Sequence, residues 1–243
     1  MVEIWEPGKP IARFIDHTLL KPAAAERDII KLCEEAMEHG FYSVCVNGSW
    51  VPLCREQLAG SGVHISVVCG FPLGAMTTKA KVFEAVNAVE DGAREIDMVL
   101  PVGAVMEDRF GTVSHDISAI VRAVEGQAIV KVILETGLLD DGHKAEACRV
   151  AEAAGAHYVK TSTGFGPGGA SEADIRLMRA SVSPGIGVKA SGGIRDAATA
   201  LQMLKAGANR LGTSSGVLIV SSATNAESVE GNKGAGPAES SSY

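Results

Sequence analysis

The chain has 243 residues, 46% of them hydrophobic and 21% charged, with a formal net charge of −7 at pH 7. That acidic balance argues against a nucleic-acid partner. No run approaches the ~20 apolar residues of a membrane helix, and no basic segment precedes an apolar one at the N-terminus, so a cytoplasmic protein is expected. Five cysteines (Cys33, Cys45, Cys54, Cys69 and Cys148) contain no CxxC pair and are odd in number, as for reduced thiols in a reducing compartment.

The elements repeat with one rhythm. A strand-like segment at Phe14–Thr18 comes first. A helix follows at Glu26–His39, with Ile29, Ile30, Cys33, Ala36 and Met37 on one face and Gly40 as its stop. Ser43–Asn47 and His64–Gly70 read as short buried strands. Thr77–Asp91 reads as a helix with Val82, Phe83, Val86 and Val89 on its apolar face. Further strand-like runs are Arg94–Pro101, Ile129–Glu135, His157–Thr163, Ile186–Gly192 and Arg210–Gly216, most of them preceded by a helical stretch that ends in glycine. Eight strand–helix units in about 220 residues predict an α/β chain closed into a (β/α)8 barrel over residues 1–220. The competing open doubly wound sheet would carry a glycine-rich fingerprint after the first strand, where this chain has Leu19-Leu20-Lys21-Pro22. Residues 221–243 are small, polar and aperiodic. They read as a disordered tail, either a plain end or one that returns Tyr243 to the barrel mouth.

Two lysines stand in the middle of apolar strand-like runs, in Val159-Lys160-Thr161 and Val188-Lys189-Ala190. Alternation puts both amines on the inner face with Tyr158, Ser162, Gly187 and Ser191. Lysine is rarely buried, and a desolvated amine beside another cation loses its proton more easily and attacks carbonyls. Other strands add Asp16, Cys45, Asn47, Asp97, Lys131 and Glu135 to the same end or interior of the barrel. A nucleophilic amine, a second cation and a carboxylate to relay protons are the parts of imine chemistry. Lys131 and Glu135 also fit a structural ion-pair layer, and alternation alone does not say which lysine is the nucleophile.

A phosphate site is the second expectation. Ser191-Gly192-Gly193-Ile194-Arg195 and Gly212-Thr213-Ser214-Ser215-Gly216 end the last two strands, the usual phosphate position of such a barrel, and Thr163-Gly164 adds a further N–H. Arg195 reads equally as a solvated helix-start residue. Cys45 and Cys69 read as buried thiols. His17 and His64 are isolated, no cluster has zinc-ligand spacing, and neither a metal nor a cofactor is expected.

These segments together resemble the deoxyribose-phosphate aldolases. The resemblance is carried by Ile15-Asp16-His17-Thr18-Leu19-Leu20-Lys21-Pro22, Val44-Cys45-Val46-Asn47, Gly70-Phe71-Pro72-Leu73-Gly74, Glu95-Ile96-Asp97-Met98-Val99, Val159-Lys160-Thr161-Ser162-Thr163-Gly164-Phe165-Gly166 and the two segments after strands seven and eight. It implies a class I aldolase that splits 2-deoxy-D-ribose 5-phosphate into D-glyceraldehyde 3-phosphate and acetaldehyde. It also implies Lys160 as the Schiff-base lysine, Lys189 as the group that lowers its pKa, and Asp97 as the proton relay. Asp16 would hold substrate hydroxyls, and Gly164, Gly192, Gly193, Ser214 and Ser215 would bind phosphate. Cys45, Thr163 and Gly212 complete the expected substrate-binding set. The partners implied are a phosphosugar and small aldehydes, with a homo-oligomeric assembly. Met98-Val99-Leu100-Pro101-Val102-Gly103 and Gly74-Ala75-Met76 depart from the family pattern without touching these groups. Two alternatives stay open: another imine-forming phosphosugar barrel of the transaldolase kind, and a non-catalytic phosphosugar-binding barrel.

Overall fold

The computed structural model describes residues 2–231. Its short apolar runs form strands β1 (Ile15–Leu19), β2 (Ser43–Val46), β3 (His64–Cys69), β4 (Glu95–Val99), β5 (Ile129–Ile133), β6 (Tyr158–Lys160), β7 (Gly187–Ser191) and β8 (Arg210–Thr213). All pairs are parallel, and β8 returns to β1 through Ile15–Leu211, Asp16–Gly212 and His17–Thr213, closing the barrel. Helices α1 (Glu26–His39), α2 (Val51–Gln57), α3 (Thr78–Asp91), α4 (Val102–Met106), α5 (Phe110–Ala123), α6 (Asp141–Ala153), α7 (Glu172–Ser181), α8 (Ala197–Ala206) and α9 (Gly216–Gly231) fill the crossovers and the end. The expected (β/α)8 barrel is the observed fold.

Alternation along each strand sorts the chemistry. Val44, Val67, Ile96, Met98, Val130, Val132, Val159, Val188 and Leu211 point outward into one apolar layer beneath the helices. Asp16, Ser43, Ser66, Glu95, Asp97, Lys131, Lys160, Lys189 and Arg210 are buried on the inner face. The barrel interior is therefore polar, and its stability rests on the outer layer. A small separate apolar cluster of Leu20, Cys45 and Val68, with Phe71 against it, sits on the β1–β3 side.

Two expectations about faces and one about extent need correction. Helix α3 starts at Thr78 because the Thr77 hydroxyl accepts from the Ala80 N–H and caps it. Its buried residues are Lys81, Ala85, Ala88 and Val89, whereas Phe83 is 75% exposed. In α1, Ile29, Cys33 and Ala36 are buried but Met37 is exposed. Helix α9 continues to Gly231, so residues 221–231 are helical rather than an irregular tail. Neither glycine nor proline occurs between Val217 and Glu230 to stop it. The remaining residues, Tyr243 among them, lie outside those described. No helix among the described residues is long and apolar enough to cross a membrane.

Lys81 is on the core face for a specific reason. Its amine crosses beneath the turn after β3, donates to the Val99 carbonyl at 2.9 Å and pairs with Asp116 at 2.7 Å. Thr78 donates to the other Asp116 oxygen at 2.7 Å. Gly70, at φ +62°, lies directly over the stem: a Cβ there would sit 2.8 Å from Lys81 Cε. The buried pair thus ties α3 and α5 to the end of β4. Lys81→Met is expected to lower the unfolding free energy by about 3–5 kcal/mol, because it leaves buried Asp116 without its ion-pair partner. Urea unfolding at pH 7 measures this, and a loss below about 1 kcal/mol would show that the turn is held by other contacts.

Candidate active site

Strand register brings the inner-face charges together. Asp97 is opposite Lys131 across β4–β5, Ile133 is opposite Lys160, and Lys160 is opposite Lys189 across β6–β7. Asp97 Oδ2 accepts from Lys160 Nζ and from Lys189 Nζ, each at 2.8 Å. Its Oδ1 accepts from Lys131 Nζ at 2.7 Å and from Ser66 Oγ at 3.0 Å. Asp16 takes Lys189 on one oxygen, and Arg210 at 2.8 Å and Ser43 at 2.7 Å on the other. Lys131 also pairs with Glu95 at 2.5 Å, and Arg210 reaches Glu95 at 3.3 Å while lying 3.4 Å over the Tyr42 ring.

Three carboxylates thus face four bases in a buried layer, and electrical balance favours one base giving up its proton. The partners identify which. Among the described residues, Lys131 has three anionic neighbours, Lys189 and Arg210 have two each, and Lys160 has only Asp97. Burial and the charge of Lys189 outweigh Asp97 and hold the Lys160 amine below the ordinary lysine range. Burial acts the same way on Lys189, but Asp16 and Asp97 overcome it and push that amine up. Burial would raise Asp97, yet Lys131, Lys160 and Lys189 keep it well below the usual carboxylate range.

Lys160 is also the lysine that meets the mouth. A cleft of about 260 Å³ opens at the C-terminal ends of the strands, with Lys160 among its lining residues. Thr163, Gly164, Gly192, Gly193, Gly212 and Ser214 line it too. Among the described residues, the N–H groups of Gly164, Gly192, Gly193 and Ser214 have no protein acceptor. Four free N–H groups around one concavity make an anion cradle. The Ser215 N–H is instead taken by the Thr213 hydroxyl at 2.9 Å, and Ser215 does not line the cleft. Asp97 and Lys189 sit beneath Lys160. Asp16 is fully buried with both oxygens engaged, so it holds Lys189 and does not reach the cleft. Cys45 is fully buried as well, and burial pushes its thiol up.

Glu135 does not join the ion layer. Its carboxylate binds Thr163, and the layer's third carboxylate is Glu95. Arg210 and Glu95 are the members that strand-end reading missed. Their signal was present: Glu95 shares the face of Asp97, and Arg210 shares that of Gly212, each two residues away. Lys21, Arg195 and Phe165 at the rim complete the surroundings.

Residues 11–222 match the model of the DeoC/LacD family aldolases. The deoxyribose-phosphate aldolase 1 of Bacillus licheniformis is 55% identical over 216 residues, 89% of this chain and 97% of that protein. The chain belongs to the DeoC/LacD aldolase family. The deoxyribose-phosphate aldolase of Thermococcus gammatolerans is 55% identical, over 90% of this chain and 99% of that one. The tetrameric deoxyribose phosphate aldolase structure from Aeropyrum pernix superposes with a TM-score of 0.84 at 36% identity, covering 90% of this chain and 94% of its own. In this DeoC/LacD family aldolase the lysine with the weakest anionic support is the one exposed to the cleft.

That arrangement has a measurable consequence. Lys189→Met removes a cation that lowers the Lys160 pKa, so the pH at which Lys160 becomes half-reactive should move upward. Borohydride labelling by acetaldehyde, followed as a function of pH at the Lys160 peptide, reads it directly. An unmoved curve would remove Lys189 from the control of that amine.

Proposed function

We propose that this chain reversibly cleaves 2-deoxy-D-ribose 5-phosphate to D-glyceraldehyde 3-phosphate and acetaldehyde through a Schiff base on Lys160. The observation that carries the reading is that one buried, pKa-lowered amine opens into the same cleft as an N–H cradle for an anion. The deoxyribose-phosphate aldolases at over 50% identity support the substrate.

In the cleavage direction the unprotonated Lys160 amine adds to C1 of the open-chain sugar and expels water. The cationic imine accepts the electron pair of the C2–C3 bond as the C3 hydroxyl loses its proton, and D-glyceraldehyde 3-phosphate departs. The remaining two-carbon enamine takes a proton on carbon, and water then releases acetaldehyde and restores the amine. Asp97, bonded to both Lys160 and Lys189, is the group through which protons pass between the buried layer and the reacting atoms. Relays of this kind contribute typically ~10²–10⁴ in rate. Gly164, Gly192, Gly193 and Ser214 bind the phosphate, with Gly212, Ser215 and Thr163 shaping their turns. Asp16 and Cys45 act one layer lower, Asp16 by holding Lys189 and Cys45 by filling the wall beside it. A cytoplasmic setting fits the five free cysteines, and the tetrameric Aeropyrum pernix relative supports a homo-oligomer.

Acetaldehyde and borohydride should attach one two-carbon unit, found by peptide mapping on Lys160, and Lys160→Leu should abolish both labelling and turnover. Label on Lys189 with Lys160 untouched would reverse the assignment. Ser214→Glu should raise KM for the phosphorylated sugar by about 10²-fold while changing unphosphorylated deoxyribose little, since a carboxylate in the cradle repels only the dianion. Equal effects on the two sugars would take Ser214 out of the phosphate site.

A further inference from the structure

The segment between β6 and α7 supplies Gly164 to the cleft, and it is gripped from both sides by close backbone approaches. A Cβ on Gly137 would lie 1.9 Å from the Pro167 carbonyl oxygen, and one on Gly169 would lie 2.5 Å from that of Gly192. Between these contacts stands Glu135. It has φ +58° and ψ +59°, a left-handed conformation that a side chain with a long stem rarely adopts. It is 4% exposed, and no lysine, arginine or histidine pairs with it among the described residues. Such a carboxylate near an anion site is costly unless it does something there.

Its hydrogen bonds say what that is. The Glu135 carboxylate accepts the Thr163 hydroxyl and, at 3.3 Å, the Thr163 N–H. The same hydroxyl oxygen accepts the Phe165 N–H at 3.0 Å. In the turn Thr163-Gly164-Phe165 the outer two N–H groups are thereby consumed, while the middle one, on cleft-lining Gly164, has no protein acceptor among the described residues. Gly166 lets the carboxylate sit there, since a Cβ on it would fall 2.8 Å from Glu135 Cδ.

We propose that Glu135 is a positioning residue for substrate phosphate: its carboxylate fixes the Thr163–Phe165 turn so that the Gly164 N–H alone is presented to the anion. The strained backbone aims the carboxylate at Thr163 and away from the ligand. The proposal rests on the aldolase reading above and adds a residue that touches neither substrate nor lysine.

The test compares wild type, Glu135→Gln and Glu135→Gly, the last of which adopts the same backbone freely and has no carboxylate. Each variant should raise KM for deoxyribose 5-phosphate by about 10-fold or more, the worth of losing a charge-assisted hydrogen bond that orders the turn. Turnover at saturation should stay within about twofold, as should kcat/KM for unphosphorylated deoxyribose and the rate of acetaldehyde trapping on Lys160. Thr163→Val, which loses the hydroxyl but keeps the N–H, should give a smaller rise in the same KM. It also reads the contact if either Glu135 variant does not fold. Parallel losses on both sugars, or slowed trapping, would assign Glu135 a general structural or catalytic part and overturn the proposal. An unchanged KM would overturn it as well. Failure of the aldolase reading looks different, because the wild type itself would then neither turn over the phosphosugar nor trap acetaldehyde.

Discussion

Asp97 is shared by three amines in a space closed to water, and the rest of the site follows from how that carboxylate divides itself. Its two oxygens serve Lys131 on one side and Lys160 with Lys189 on the other. A buried charge is tolerable only when matched, and a match spread over three donors leaves each one undersupplied unless another anion helps. Asp16 and Glu95 help Lys131, and Asp16 helps Lys189. Neither pairs with Lys160. The proposed nucleophile is therefore set apart by where anions are missing as much as by where a lysine is placed. Ser43 and Ser66 have a quieter part: each fills a lone pair on Asp16 or Asp97 and leaves fewer geometries open to the cations.

The proposed phosphate cradle meets a different electrostatic problem. The whole chain is acidic, at −7, and so repels a dianion at long range. With Lys160 neutral, the interior layer balances and offers no net attraction. On the proposed reading, attraction comes from short-range N–H dipoles, aided by the rim cations Lys21 and Arg195. Dipoles act only when aimed, which places the burden on loop geometry. Glycine is required where the aim needs a left-handed turn or a close approach, as at Gly164, φ +85°, and Gly192, φ +91°. Inside the barrel, Gly212 serves packing instead: a Cβ there would press on Lys189 Cε at 3.0 Å.

Much of this was legible in the sequence because it breaks a rule. Lysine inside Val-Lys-Thr and Val-Lys-Ala runs contradicts the apolar period, and the contradiction marks the site. Glycine stops marked the barrel's rhythm. What escaped notice obeys local rules. Arg210 and Glu95 begin their strands, where a charged residue reads as solvated, so the alternation that puts them on the inner face with Gly212 and Asp97 was easily passed over. Lys81 was hidden by Phe83, since apolarity was taken as the sign of the buried face. The surface of α3 exposes the phenyl ring and buries the amine because Asp116 and Val99 supply partners that periodicity cannot reveal. Glu135 was read by position as a member of the ion layer, but its left-handed backbone swings it out. Helix α9 outran its expected end because low apolarity is not a stop signal.

The ion layer also bears on how the chain reaches its fold. Asp16 lies in β1, yet its partners Lys189 and Arg210 are 173 and 194 residues further on. During synthesis the first strand must wait for the last two. Contacts of such long range are slow to form, since the intervening chain has to be ordered first. A partly assembled barrel that closed early would trap Asp16 and Glu95 without Arg210, an arrangement penalised by several kcal/mol of uncompensated charge. Premature closure is thus discouraged by the same carboxylates that later prepare the lysine. Closure of the barrel and balance of its buried charges are therefore one event, because the last strand carries the cation that Asp16 and Glu95 share.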